Sequence, residues 1–424
     1  RGKINIRAMD QSVSFISFPA GVLDTPGRIR LSGSKSQSNR LLLLQAAMDG
    51  AFSIDNLSDS DDTRAMRRVL EDPSSVLDVG HAGTAMRFGT AYLASCPGRE
   101  VVLTGSGRMK ERPIAPLVDA LRSLGAGIDY LEREGCPPLR IRGRELPGGE
   151  CRIDSTVSSQ FITALMLMAP FWQQGLHLHL EGQSVSRPYI ELTASVLRSV
   201  GLDCRVGEQD VIVPPAKGCA VDRVLVESDW SSASYFYALS AVARRGFELS
   251  SFLPESPQGD SRLSGIFREV FGVESVFSPG GILRLVPREG YSAPEYCQLD
   301  MGDTPDVAQS VAVVMAALKI KGCLTGLGTL RVKETDRIAA LQTELAKFGV
   351  GCSATRDSLT IETFSPRSRE ICLETYQDHR MAMAFVPLAL EGGFSVRCPQ
   401  VVTKSYPRFW EDMASVGLLC REVR

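Results

Sequence analysis

The sequence predicts an α/β protein of mixed α+β type, built as two similar domains of three units each. Three observations carry that expectation. The chain has 424 residues, and single cores seldom grow beyond roughly 250 to 300 residues. An amphipathic helix ending in an apolar residue, Gly and a strand-like restart recurs about every 70 residues. A second helix type, polar or Gly-rich at its start and apolar all round afterwards, recurs in the same period, and helices without a polar face are buried.

The glycine-terminated helices are "LVDALRSLGAGID", "LTASVLRSVGLDC", "LSGIFREVFGVES", "LQTELAKFGVGCS" and "FWEDMASVGLLC". Their Gly125, Gly201, Gly272, Gly349 and Gly417 read as C-caps, where glycine takes the left-handed conformation at little cost. The buried helices are "SKSQSNRLLLLQAAM", "AGTAMRFGTAYLA", "SSQFITALMLMAPF", "SSASYFYALSAVA", "TPDVAQSVAVVMAAL" and "DHRMAMAFVPLAL". Short strands such as "VVLTG", "LHLHLEG", "VIVP", "RVLVES" and "LTIET" join them. Period and length place one domain between "RIRLSGSKS" and "VLVESDWSS".

Composition narrows the function classes. A hydrophobic content of 44%, a charged content of 23% and a net charge of −2 give no overall pull toward nucleic acid or an anionic membrane. Any basic site must be local. The 11 cysteines form no CxxC pair, which argues against a disulfide framework and for a reducing cytosol. His81, His177, His179 and His379 form no HExxH, and "HLH" reads as one face of an exposed strand rather than a zinc site. No run approaches the roughly 20 apolar residues of a membrane span and no targeting segment is readable, so the expectation is a soluble, cytoplasmic protein. Arg1 in place of Met leaves the true start open.

The starts of the buried helices point to chemistry. A first helical turn presents unpaired N–H groups and partial positive charge, which suits an anion. Lys35, Ser36 and Arg40 gather at the first start, Gly83, Thr84 and Arg87 at the second, Ser158, Ser159 and Gln160 at the third, and Asp378, His379 and Arg380 at the last. The serines also read as ordinary N-caps, and Arg87 also reads as a surface arginine. "RMKERP" sets Arg112 before a helix, "SRPYIEL" does the same with Ser186, Arg187 and Tyr189, and "TKSYPRFWED" sets Lys404 before the last one. Cations at helix starts oppose the macrodipole and cost stability unless an anion is bound. "RVKETDR" (Arg331 to Arg337) fits the pattern: the helix continues "IAALQTELAKFG", so Lys333, Glu334 and Arg337 are expected to crowd its first turn, Lys333 and Arg337 on one side. Asp336 is expected to pair locally and hold the turn.

"SGSKSQSNR", "AGTAMR", "RMKERP", "SSQF", "PD" at 305 to 306, "RVKETDR", "DHRMAMA" and "TKSYP" resemble, in order and spacing, the 5-enolpyruvylshikimate-3-phosphate (EPSP) synthase family, from about Leu31 to Pro407. The resemblance implies the enolpyruvyl transferase fold. That fold has two domains of three βαβαββ units around buried parallel helices, joined by two hinge crossovers. One domain would take residues 1–32 plus 228–424 and the other 33–227. It also implies transfer of the enolpyruvyl group of phosphoenolpyruvate to the 5-hydroxyl of shikimate 3-phosphate. That step lies on the shikimate route to chorismate and aromatic amino acids, and uses no metal or organic cofactor.

Position by position, the resemblance gives shikimate 3-phosphate to Lys35, Ser36, Arg40, Ser158, Ser159, Ser186, Asp306 and Lys333. Phosphoenolpyruvate falls to Lys35, Gly83, Arg112, Gln160, Arg337, Arg380 and Lys404. Asp306 is the expected base, Glu334 the expected acid, and Lys35 the stabiliser of the departing phosphate. The site is expected to form as the domains close, with hinges near residues 31–33 and 226–229. Two positions depart from the family pattern: His81 stands where Asn is usual and Phe88 where Pro is common, which leaves the response to glyphosate, the family's inhibitor, open. His81 protonation would make substrate affinity pH-dependent.

The partners implied are the two small substrates, with no nucleic acid and no membrane, and a monomer. The rivals are a UDP-N-acetylglucosamine enolpyruvyl transferase and a non-catalytic phosphometabolite-binding relative. The former works through a cysteine in the loop where this chain has "GSGRMKERP", and the latter would lack Lys35, Asp306, Glu334 or Arg337.

Overall fold

Residues 76–142 show the repeating unit in full. A strand, Val76–Asp78, leads to the buried helix Gly83–Ala94 and the strand Glu100–Thr104; the amphipathic helix Ala115–Ser123 and the strands Gly127–Tyr130 and Leu139–Arg142 follow. A helical crossover makes the first two strands parallel, Val76 opposite Val102, whereas the last two add antiparallel, as Glu100 opposite Arg142 and Ile128 opposite Ile141 show. The structure, a computed structural model, describes residues 12–19, 27–156, 158–182, 187–216 and 218–423.

Among the described residues the same four-stranded order, one parallel pair and two antiparallel pairs, occurs five times. In the last sheet the N-terminal strand Val13–Ser17 and the C-terminal strand Leu419–Glu422 take the two antiparallel places. The sixth sheet differs from the expectation of equal units. It has two strands, Ser53–Asp55 beside Arg223–Leu225, and no antiparallel pair follows its amphipathic helix Asp61–Glu71.

Two compact units result. One takes the described residues through Leu31, then Ser228–Ser256 and those from Asp260 on; the other takes Ser32–Glu227 with Pro257–Gly259. Strand pairing enforces this division. Gly27–Ile29 lies parallel to Phe247–Leu249 in the first unit, while Arg223–Leu225 returns to Ser53–Asp55 in the second.

Each unit has its own core. In the 32–227 unit the helices Lys35–Ala47, Gly83–Ala94 and Ser159–Met168 bury leucines, methionines and alanines such as Leu43, Met86, Ala91 and Leu165. The other unit centres on the helices Trp230–Ala243, Ala308–Ala317 and His379–Ala384, and is richer in aromatics, with Phe267 and Phe271 rings 4.9 Å apart. The five repeat glycines have φ between 63° and 105°. At Gly125 the cap is complete: its N–H donates to Arg122 O at 2.9 Å and that of Ala126 to Leu121 O at 2.9 Å, satisfying carbonyls the helix leaves unpaired.

Candidate active site

In the 32–227 unit, Ser34 caps the first buried helix by accepting from the Gln37 N–H at 3.4 Å. Lys35 and Ser36 open that helix, and Lys35 Nζ lies 3.0 Å from Asp62 in the first turn of the neighbouring helix. Arg40, one turn on, is buried. Its guanidinium donates to Ser36 O at 2.7 Å, Thr193 Oγ1 at 2.9 Å and Tyr189 O at 3.3 Å, with the buried Phe88 ring 5.6 Å away. Burial pushes its pKa down to about 10 against a weaker opposing pull from Tyr189. A bound anion would restore what the guanidinium loses by leaving water.

Gly83 and Arg112 meet. A Cβ built on Gly83 would stand 2.8 Å from Arg112 Nη1, so the glycine leaves the space the guanidinium covers. Arg87 is buried, not on the surface, and donates to Met109 Sδ at 3.2 Å and Pro113 O at 3.2 Å, bracing the loop that carries Arg112. Ser158 caps the third buried helix, Ser159 is its first residue, and Gln160 Nε2 reaches Thr84 Oγ1 at 3.4 Å, which ties the second and third helix starts together. His81 lies beside the same start, its Nδ1 3.0 Å from Ser106 Oγ. Ser186 lies outside the described residues.

In the other unit the predicted residues share one charged cluster. Arg337 is its centre: it donates to Asp378 at 2.7 Å, to Glu334 at 2.8 Å and to Asp306 at 3.0 Å. Asp306 also has Lys333 Nζ at 3.4 Å and Arg380 Nη2 at 3.6 Å, and its backbone carbonyl accepts from Arg380 Nη1 at 2.8 Å. Lys404 Nζ lies 2.5 Å from the second oxygen of Glu334. Burial alone would lower the pKa of Arg337, but Asp378, Glu334 and Asp306 together raise it above the ordinary value, so it stays a cation.

Two expectations need correction. The helix after "RVKETDR" begins only at Arg337, because Asp336 caps it by accepting from the Ala339 N–H at 3.0 Å; Lys333 and Glu334 precede it, after the 3-10 turn Gly328–Val332. Arg331 pairs with Asp336 at 2.8 Å, outside the cluster's centre. The cations at helix starts are not left unbalanced either, since Lys35, Arg337, Arg380 and Lys404 each face a protein carboxylate. The carboxylates that do this, Asp62 and Asp378 above all, carried no sequence signal beyond being acids at or beside a helix N-terminus.

The EPSP synthase (3-phosphoshikimate 1-carboxyvinyltransferase) family pattern matches residues 21–72 and 68–413 of this chain. The chain belongs to the EPSP synthase family. A family member from Bacteroides fragilis strain YCH46, a 3-phosphoshikimate 1-carboxyvinyltransferase, is 43% identical over 394 residues, covering 92% of this chain and 95% of its own. Another, from Yersinia ruckeri, is 38% identical over 434 residues, covering 93% and 96%. An EPSP synthase structure from Acinetobacter baumannii matches with a TM-score of 0.72 at 21% identity, covering 98% of this chain and 100% of that one, and carries the fold. Among the described residues no helix is long and apolar enough to cross a membrane, and no group of three or more His, Cys, Asp or Glu is arranged to hold a metal ion.

Proposed function

We propose that Asp306 and Glu334 are the base and acid of the family reaction and that the two helix-start sets named above hold its substrates. The reaction is the transfer of the enolpyruvyl group of phosphoenolpyruvate to the 5-hydroxyl of shikimate 3-phosphate, releasing phosphate. It proceeds by addition and then elimination. The 5-hydroxyl gives its proton to Asp306 and its oxygen bonds to C2 of phosphoenolpyruvate, while the C2–C3 π pair takes a proton from Glu334. In the second half a C3 proton returns to Glu334, the C2–C3 double bond re-forms and the C2–O bond to phosphate breaks, with Lys35 stabilising the departing charge.

The observation that carries this reading is the buried Arg337 guanidinium, which holds Asp306 on one side and Glu334 on another. Phosphoenolpyruvate brings a phosphate and a carboxylate that compete for Arg337 and Lys404, the partners of Glu334. Glu334 then loses its cations, its proton affinity rises, and it becomes able to donate. Arg112 above Gly83, Gln160, Arg380 and Lys35 complete the phosphoenolpyruvate set. Shikimate 3-phosphate takes Lys35, Ser36, Arg40, Ser158, Ser159 and Ser186, with Asp306 and Lys333 at its ring. The charge that develops lies on groups already faced by fixed cations, so preorganised electrostatics lowers the barrier.

The reading extends to a monomer in the cytoplasm that works without a metal or organic cofactor, and eleven cysteines with no CxxC pair among them fit a reducing compartment. The test is phosphate release from phosphoenolpyruvate with shikimate 3-phosphate or UDP-N-acetylglucosamine supplied separately. Release is expected with the first alone; release only with the second, or with neither, rejects the reading.

A further inference from the structure

We propose that Asp260 is a positioning residue for enolpyruvyl transfer, one that places Arg380 and the turn bearing Asp306. This rests on the reading of Asp306 as the base and Arg380 as a phosphoenolpyruvate ligand. Asp260 lies just ahead of the helix Leu263–Val270 and is 6% exposed. One of its oxygens accepts from Ser231 Oγ and the other from Thr304 Oγ1 at 2.8 Å. The Ser231 hydroxyl, donating to Asp260, accepts from Arg380 Nη2 at 3.3 Å. Thr304 stands two residues before Asp306, and its carbonyl accepts from the Val307 N–H at 3.3 Å, across the turn that carries Asp306. A single buried carboxylate therefore reaches Arg380 through one hydroxyl and the turn of the base through another.

Charge gives the second argument. Asp306 faces Lys333, Arg337 and Arg380 within 3.6 Å. Three cations hold a carboxylate in its anionic form and weaken it as a proton acceptor. Glu334 and Asp378 are engaged with Arg337, Lys404 stands against Glu334, and His379 Nδ1 is 3.6 Å from Asp378. On the rim Arg262 pairs with Asp303. Asp260 joins this cluster through Ser231 on the Arg380 side, and Asp229, which caps the helix Trp230–Ala243 that carries Ser231, adds a further carboxylate beside it. Burial, and then the charge of Asp306, push the Asp260 pKa up, opposed by Arg380 and the two hydroxyls.

The experiment is steady-state kinetics of the full-length enzyme. Asp260→Asn keeps the shape and removes the charge. It is expected to lower kcat about tenfold and raise KM for phosphoenolpyruvate about tenfold, with shikimate 3-phosphate affinity retained. Ser231→Ala, which cuts only the Arg380 branch, should raise KM for phosphoenolpyruvate more than it lowers kcat. Thr304→Val, which cuts only the Asp306 branch, should do the reverse. Asp306→Asn runs beside them: if it turns over normally, the assignment of the base fails rather than this proposal. If Asp306→Asn is inactive, an Asp260→Asn enzyme with the parent kcat and KM overturns the proposal. Should Asp260→Asn not fold, parent-like kinetics in both hydroxyl variants overturns it.

Discussion

Arg337 makes four hydrogen bonds to three carboxylates from three separate stretches of chain. Removing one partner of a buried pair leaves a charge uncompensated, so isosteric changes are the informative ones. Glu334→Gln keeps the shape but gives up the proton. Its kcat should fall by about 10²–10⁴, while phosphoenolpyruvate binds at least as tightly because Arg337 and Lys404 lose a competitor; calorimetric titration with stopped assays checks both, and near-normal turnover rejects the acid role. Gly83→Ala puts a methyl 2.8 Å from Arg112 Nη1. The displaced guanidinium should raise KM for phosphoenolpyruvate about tenfold, the worth of one charge-assisted hydrogen bond, and an unchanged KM would remove Arg112 from the site. Sequence exposed the cations because each sits in a short local pattern at a helix start. Two of the balancing pairings stayed hidden, for Asp62 meets Lys35 across 27 residues and Asp378 meets Arg337 across 41, contacts that only the fold makes.

Periodicity was enough to read the helices and the Gly-terminated caps, since both depend on residues a few positions apart. Their exact starts were less legible. In "RVKETDR" the charges suggested an early helix start, but the side chain of Asp336 takes the Ala339 N–H and fixes the first turn at Arg337. Asp336→Ala should therefore lower stability by about 1 kcal/mol, seen as a lower urea midpoint, with kcat unchanged because Asp336 pairs with Arg331 rather than with the central cluster. A fall in kcat matching that of Glu334→Gln would instead place Asp336 in the chemistry. The missing antiparallel pair of the sixth sheet was also illegible. Nothing local tells that Ser53–Asp55 finds its partner at Arg223–Leu225, and an even repeat invites the assumption that every unit is complete.

Two cores, one rich in leucine and methionine and one richer in aromatics, make separate cooperative units the expectation for the whole molecule. Scanning calorimetry should give a calorimetric enthalpy larger than the van't Hoff enthalpy; equality of the two would mean that the units melt as one. The order in which strands find partners adds a constraint on how the protein is made. The strand Gly27–Ile29 leaves the ribosome early, yet its neighbour Phe247–Leu249 follows more than 200 residues later, a wait on the order of tens of seconds at ordinary elongation rates. Meanwhile the 32–227 unit receives everything its sheets require, and its entry and exit are joined by the bond from Ser34 N–H to Glu227 O at 2.7 Å. It can complete itself while the rest of the chain is still being synthesised. Val13–Ser17 waits longer still: one neighbour is Phe394–Arg397, the other Leu419–Glu422, so the first described strand is housed only once residue 422 has been added. A nascent chain stalled before that point carries the 32–227 unit already folded and a first described strand with both edges open, which is the form a chaperone would have to guard.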